Sequence, residues 1–118
     1  PSTGDITTTG NITAYFSDDR LKTRHTNILD ALEKVNKLNG FYFTPNNTAV
    51  ELGYLPEQDI GVSAQEVDEV LPEAVTQAAI VSKEEYLAVR YEKLVPLLIE
   101  SIKQLSKEVK HLQDQINR

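Results

Sequence analysis

Leu98, Ile102, Leu105, Val109, Leu112 and Ile116 are spaced four, three, four, three and four residues apart. Apolar residues at that spacing form one narrow stripe on a helix, with a period of 3.5 residues. Ser101, Lys103, Gln104, Lys107, Glu108, Lys110, Gln113 and Asp114 cover the remaining faces. So narrow a seam calls for a partner helix. An amphipathic helix lying on its own domain would also need an apolar face. Here, however, the stripe runs to the last residues, where partners within the chain run out, so the pattern favours self-association. Ile102, Val109 and Ile116 take the a positions and the leucines take d, which leans towards two strands on the rules for parallel coiled coils. Pro96 requires the helix to start near Glu92 or to bend at the proline.

Upstream of this helix, expected over about residues 91–117, the elements are short. Thr26 or Asn27 is placed to cap a helix, Asp30 suits its first turn, and Ile28, Leu29, Leu32, Val35 and Leu38 recur at helical spacing until Gly40 stops it. Phe41-Tyr42-Phe43-Thr44 reads as an aromatic strand ended by Pro45-Asn46-Asn47. From Thr48 to Asp59 the polarity is mixed and Gly53 and Pro56 intervene, so a hairpin or a protruding loop is expected. Ile60 to Ser63 reads as a strand and Ala64 to Leu71 as a helix burying Val67, Val70 and Leu71, closed by Pro72. Glu73 to Thr76 and Tyr86 to Val89 give two further weak strands. Separate short strands and helices without a βαβ repeat predict an α+β fold.

Residues 1–16 differ in kind. Gly4-Asp5-Ile6-Thr7 and Gly10-Asn11-Ile12-Thr13 repeat six residues apart, each like a brief strand opened by a turn residue. With Ile6 and Ile12 as the main apolar residues before Tyr15-Phe16, the piece cannot bury itself. It is either a disordered tail or a strand of a fibre whose neighbours are elsewhere. The start, Pro1-Ser2-Thr3-Gly4-Asp5, has neither the charge nor the apolar region of a signal peptide and reads as a cut from a longer chain.

With a net charge of −6 and no Lys/Arg cluster, neither nucleic acid nor an acidic membrane surface is expected as a partner. No apolar run approaches the roughly 18 residues of a membrane span. Cysteine is absent, so there is no disulfide framework and thiols say nothing about compartment.

Few residues are candidates for chemistry. Ser17 and Lys22, five apart in Ser17-Asp18-Asp19-Arg20-Leu21-Lys22, could form a serine–lysine dyad in which the amine takes the hydroxyl proton. A lysine serves as a base only while neutral, which at neutral pH calls for a pKa of roughly 7–8 in place of about 10.4, usually through burial. The neighbours Leu21 and Thr23 allow partial burial. Arg20 and Arg24 disfavour a further positive charge, while Asp18 and Asp19 favour it. Without other information, Ser-Asp-Asp is an ordinary turn and cap. His25 and His111 are far apart and lack the spacing of a metal site. Gly61-Val62-Ser63-Ala64-Gln65 lacks the second glycine of a nucleophile elbow. Gln65 and Glu66 open a helix and could serve as buried polar contacts or as part of a site. No glycine-rich phosphate loop is present, and no cofactor or metal is expected.

Several blocks together resemble one family. Ser17 to Lys22 resembles the signature that opens the endosialidase-type intramolecular chaperone domain of phage tail fibres, tailspikes and neck appendages, also found in the myelin regulatory factor. Leu38-Asn39-Gly40-Phe41-Tyr42-Phe43 resembles the segment after its first helix. Ile60 to Val67 and Leu71 to Val75 resemble its most recognisable block, and Tyr86 to Leu98 its C-terminal block. The blocks occur in family order and cover residues 17–118.

The resemblance implies a homotrimer that brings three chains into register, assists folding of the β-rich stalk that precedes it in the same polypeptide, and is released by self-cleavage. It implies Ser17 as nucleophile, Lys22 as general base, a junction at Phe16, Ser17 and Asp18, and Asp18 and Arg20 shaping the turn. Residues 1–16 become the end of the stalk, residues 17–118 the chaperone, and the trimer replaces the lean towards two strands. The location implied is the virion, in a tail fibre or spike precursor assembled in the host cytoplasm. The alternative is a trimeric tip or adhesin domain that stays attached, with the Thr48 to Gln58 loop exposed for contact.

Overall fold

Residues 17–78 and 84–118 are described by the structure, a computed structural model. In order they form α1 (Ala31–Val35), β1 (Phe41–Phe43), α2 (Asn47–Glu51), β2 (Asp59–Gly61), α3 (Ala64–Val70), β3 (Val75–Gln77), β4 (Leu87–Val89) and α4 (Leu94–Ile116). Single 3-10 turns stand at Asp19–Leu21, Pro72–Ala74 and Tyr91–Lys93. The expected α+β class is what the chain adopts: two separate two-stranded antiparallel sheets, β1–β2 and β3–β4, together with short helices and one long helix. The strands expected in residues 1–16, and the junction residue Phe16, lie outside the described residues.

The long helix begins at Leu94, which puts Pro96 in its first turn. There the missing proline N–H costs nothing, because the first four amides of a helix have no partner within it. The residues from Tyr91 to Lys93, expected inside the helix, form a 3-10 turn that leads into it. Two faces of α4 do different work. Leu97 and Ser101 are buried against the body of the domain, with α1 as the principal neighbour. On the other face Leu98, Ile102, Leu105, Val109, Leu112 and Ile116 are all exposed. Val95, seven residues before Ile102 and 52% exposed, extends this stripe by one more a position. From Leu105 to the end every residue is exposed, so the last turns of α4 extend past the domain.

The helix expected from residue 26 or 27 to 38 is far shorter. It spans Ala31–Val35, and Asp30 precedes it in the left-handed region at φ 53° with no side-chain cap. That backbone cannot continue a right-handed helix upstream, so residues 22–30 carry neither helix nor strand. The cap comes from elsewhere: the backbone N–H of Leu32 donates to Gln104 Oε1 on α4 at 3.0 Å. The buried residue of α1 is Ala31, while Leu29, expected on the buried stripe, is 64% exposed.

β1 and β2 pair with Tyr42 opposite Ile60 and Phe41 opposite Gly61. Their connection was expected to be a hairpin or loop but contains α2. Asn46 caps that helix by accepting from the Ala49 N–H at 3.0 Å, and Gly53, at φ 108°, takes a backbone beyond it that side-chain-bearing residues rarely adopt. The strand expected from Ile60 to Ser63 runs instead from Asp59 to Gly61, since Ser63 turns to cap α3 by accepting from the Glu66 N–H. Gly61 is required by packing. A Cβ there would stand 2.9 Å from Tyr91 Oη and 3.2 Å from a ring carbon of Phe43. Tyr91 Oη in turn accepts from the Val62 N–H at 3.3 Å, tying β2 to the turn before α4.

The helix α3 matches expectation in burying Val67 and Val70, although Leu71 is its half-buried C-cap and not a helical residue. It packs on β3 and β4, whose register pairs Val75 with Val89. The strands expected at Glu73–Thr76 and Tyr86–Val89 shift to Val75–Gln77 and Leu87–Val89, because Pro72–Ala74 forms a 3-10 turn. Among the described residues the buried apolar core is small: Ala31, Val67, Val70, Ala74 and Leu97. Much of the apolar surface along α4 is left exposed in the single chain.

Candidate active site at the Ser17–Lys22 turn

The turn is built by its own sequence. Asp18 caps the 3-10 turn Asp19–Leu21, its carboxylate accepting from the Arg20 N–H at 2.9 Å. Arg20 folds back on the same carboxylate, with Nη2 2.7 Å from Oδ2 and Nε 3.1 Å from Oδ1. The Leu21 and Lys22 amides donate to the Asp18 and Asp19 carbonyls and complete the reversal. As a result Lys22 Nζ donates to Ser17 Oγ at 3.1 Å. Both partners are exposed. The partial burial that Leu21 and Thr23 would allow Lys22 is absent in the single chain.

Electrostatics around the pair follow from these contacts. The side-chain hydrogen bond from Arg20, then the Arg20 amide, hold the Asp18 carboxyl below its ordinary value. The same contact raises the Arg20 guanidinium. Asp19, which sequence reasoning left unpaired, receives Arg24 Nη2 at 3.2 Å on both oxygens. Each carboxylate between Ser17 and Lys22 is thus engaged by an arginine. These are exposed ion pairs, which contribute little to global stability, so their effect is local geometry.

The turn faces an open cleft of about 860 Å³. Ser17, Lys22, Asn27 and Ile28 line it together with Pro96, Ile99 and Glu100 from the first turns of α4. Gln65 and Glu66 do not line it. Gln65 is exposed, and Glu66 accepts from Asn39 Nδ2 at 3.2 and 3.3 Å, joining α3 to the segment before β1. What sequence reasoning missed is the α4 wall, because Glu100 lies 73 residues from Asn27 and no local pattern links them. Val95 was legible by counting seven residues back from Ile102. No helix among the described residues is long and apolar enough to cross a membrane.

Comparison with known proteins agrees with the blocks read from the sequence. The family model described as Chaperone of endosialidase matches residues 17–76, which begins at Ser17 and covers about half of the chain. The long tail fiber protein Gp37 of Enterobacteria phage K3 is 36% identical over 117 residues, 96% of this chain. Its counterpart of Enterobacteria phage T2 shows the same identity and coverage. In both cases the chain spans only 9% of the relative's length. With the cleft-facing turn, the α+β body and the exposed helical seam in place, the chain belongs to the chaperone of endosialidase family.

Proposed function

We propose that this chain is the trimerising, self-cleaving chaperone segment of a phage tail fibre. Residues 17–118 form the chaperone and residues 1–16 the end of the stalk it serves. The observation that carries the reading is the 3.1 Å contact between Lys22 Nζ and Ser17 Oγ, at the residue where the family match begins. In the neutral state of the amine the contact reverses, and the lysine lone pair accepts from the serine O–H.

In this reading Ser17 Oγ attacks the carbonyl carbon of the bond joining Phe16 to Ser17 while Lys22 takes the hydroxyl proton. Lys22 then returns that proton to the leaving nitrogen as the C–N bond breaks. Water hydrolyses the ester, which leaves a carboxylate on Phe16 and restores the Ser17 hydroxyl. A lysine base needs removal from water, and Lys22 is exposed in one chain. Assembly of three chains through the seam that starts at Val95, beside the cleft wall at Pro96 and Ile99, would supply that cover.

The seam supports the trimer and gives the chaperone its physical basis. Winding three chains into one fibre carries an ordering cost before non-local contacts form. A coiled coil joins the chains first and raises their effective concentration. Removing it afterwards leaves the fibre kinetically trapped.

The test is expression of the full chain beside Ser17→Ala and Lys22→Ala, read by intact mass and sedimentation. Cleavage between residues 16 and 17 in the first chain alone is expected. A trimer that stays whole without either substitution would remove the peptidase and leave an attached trimeric tip.

A further inference from the structure

The turn that carries Ser17 and Lys22 is closed by its own hydrogen bonds, but the segment that leads from Lys22 to α1 has little structure of its own. Residues 22–30 form neither helix nor strand, and Lys22 through Asn27 are exposed. Yet a dyad has to be held steady, since a displacement of about 1 Å can cost on the order of 100-fold in rate. Two side chains of α4, one helical turn apart, hold this segment and the helix that follows it. Glu100 Oε1 accepts from Asn27 Nδ2 at 3.2 Å, and Gln104 Oε1 accepts from the Leu32 N–H at 3.0 Å. Glu100 is no surface carboxylate of the ordinary kind: its side chain is only 20% exposed, and it lines the same cleft as Ser17 and Lys22. A charge-assisted bond in that setting is stronger than one in open solvent. Glu100 also receives Lys103 Nζ at 3.4 Å from the next turn of its own helix.

We propose that Glu100 is a positioning residue for cleavage: through Asn27 it docks the segment that begins at Lys22 on the first turns of α4. The inference rests on the reading that Ser17 and Lys22 cut the chain, and adds a residue from the far end of the sequence to it. Its physical content is preorganisation. α4 is the longest element of the domain, and the bond transfers its position to a segment that cannot hold one alone. Because Glu100 lies on a different face from the exposed seam, its loss leaves the seam residues untouched.

The experiment has two readouts on the full chain. In a Ser17→Ala background, which keeps the chain whole, hydrogen exchange is followed in residues 22–30 with and without Glu100→Ala. Faster exchange there is expected, and unchanged protection would overturn the docking. In the Ser17 background, Glu100→Ala and Asn27→Ala are each expected to slow cleavage by about 10- to 100-fold, and the pair together no more than either alone. Glu100→Gln, which keeps an acceptor oxygen, should restore most of the lost rate, whereas Lys103→Gln should leave it unchanged. Asn27→Ala lies at an exposed residue, so it tests the bond even where Glu100→Ala disturbs folding. A chain that cuts at full rate in both alanine variants, while Ser17→Ala stays whole, overturns the inference alone. An unsubstituted chain that never cuts overturns the peptidase reading, and with it the role in cleavage.

Discussion

Gln104, on the third turn of α4, caps α1 from 72 residues away by accepting the backbone N–H of Leu32. The helix it caps has no cap of its own, since Asp30 offers no side-chain bond and sits in the left-handed region. Replacing Gln104 with Ala leaves a half-buried amide without its acceptor. The expected loss is about 1–2 kcal/mol, read from denaturant midpoints at one fixed protein concentration. Gln104→Glu keeps an acceptor and should lose less. Equal midpoints for Gln104→Ala and the unsubstituted chain would show that the cap carries no stability.

Gly61 makes a second prediction. Any Cβ there meets Tyr91 Oη and the Phe43 ring, so Gly61→Ala must displace one of them. Overpacking of this kind costs about 1–3 kcal/mol. Adding Tyr91→Phe removes the closest atom and should recover part of the loss, giving a non-additive double-mutant cycle. Additive losses would mean that the Phe43 ring, not Tyr91, sets the constraint.

The seam predicts separation of assembly from folding. Leu105 and Val109 are 48% and 47% exposed in the single chain and touch the part of α4 that extends past the domain. Leu105→Glu or Val109→Asp should therefore abolish association in sedimentation, because a charge at a or d cannot be buried between helices. The far-ultraviolet circular dichroism of the domain body should survive. A variant that remains associated would exclude the seam as the joining surface.

Asp18 gives a prediction in pH. Its folded value lies below the ordinary one, chiefly because Arg20 donates to its carboxylate. A depressed folded value means the turn is favoured at pH above the ordinary aspartate value of about 3.9, with that contribution lost as pH falls through the lower folded value. Carboxyl titration by NMR should place Asp18 below other exposed aspartates, and Arg20→Ala should bring it back up. A midpoint that ignores Arg20→Ala would contradict the side-chain pairing of Arg20 with Asp18.

Much of this was legible where the physics is local. The seam announced itself because a period of 3.5 residues survives any tertiary context, and the helix expected from Ala64 starts there. The turn from Ser17 to Lys22 is closed by its own Asp18 and Arg20. The α2 helix was also within reach, since Asn46 caps it three residues on, but Gly53 and Pro56 drew the reading towards a loop.

The sequence alone determined which residues form the long helix's stripe and which form the aromatic strand, because each depends on spacing within a few residues. Tertiary structure decided the rest. It shortened α1 to five residues by giving its cap to Gln104, and it split α4 into a buried face at Leu97 and Ser101 and an exposed one from Val95 to Ile116. It also set Glu100 in the same cleft as Ser17 and Lys22. Those outcomes depend on partners far away in the chain, and no local periodicity encodes a contact whose two halves are so widely separated.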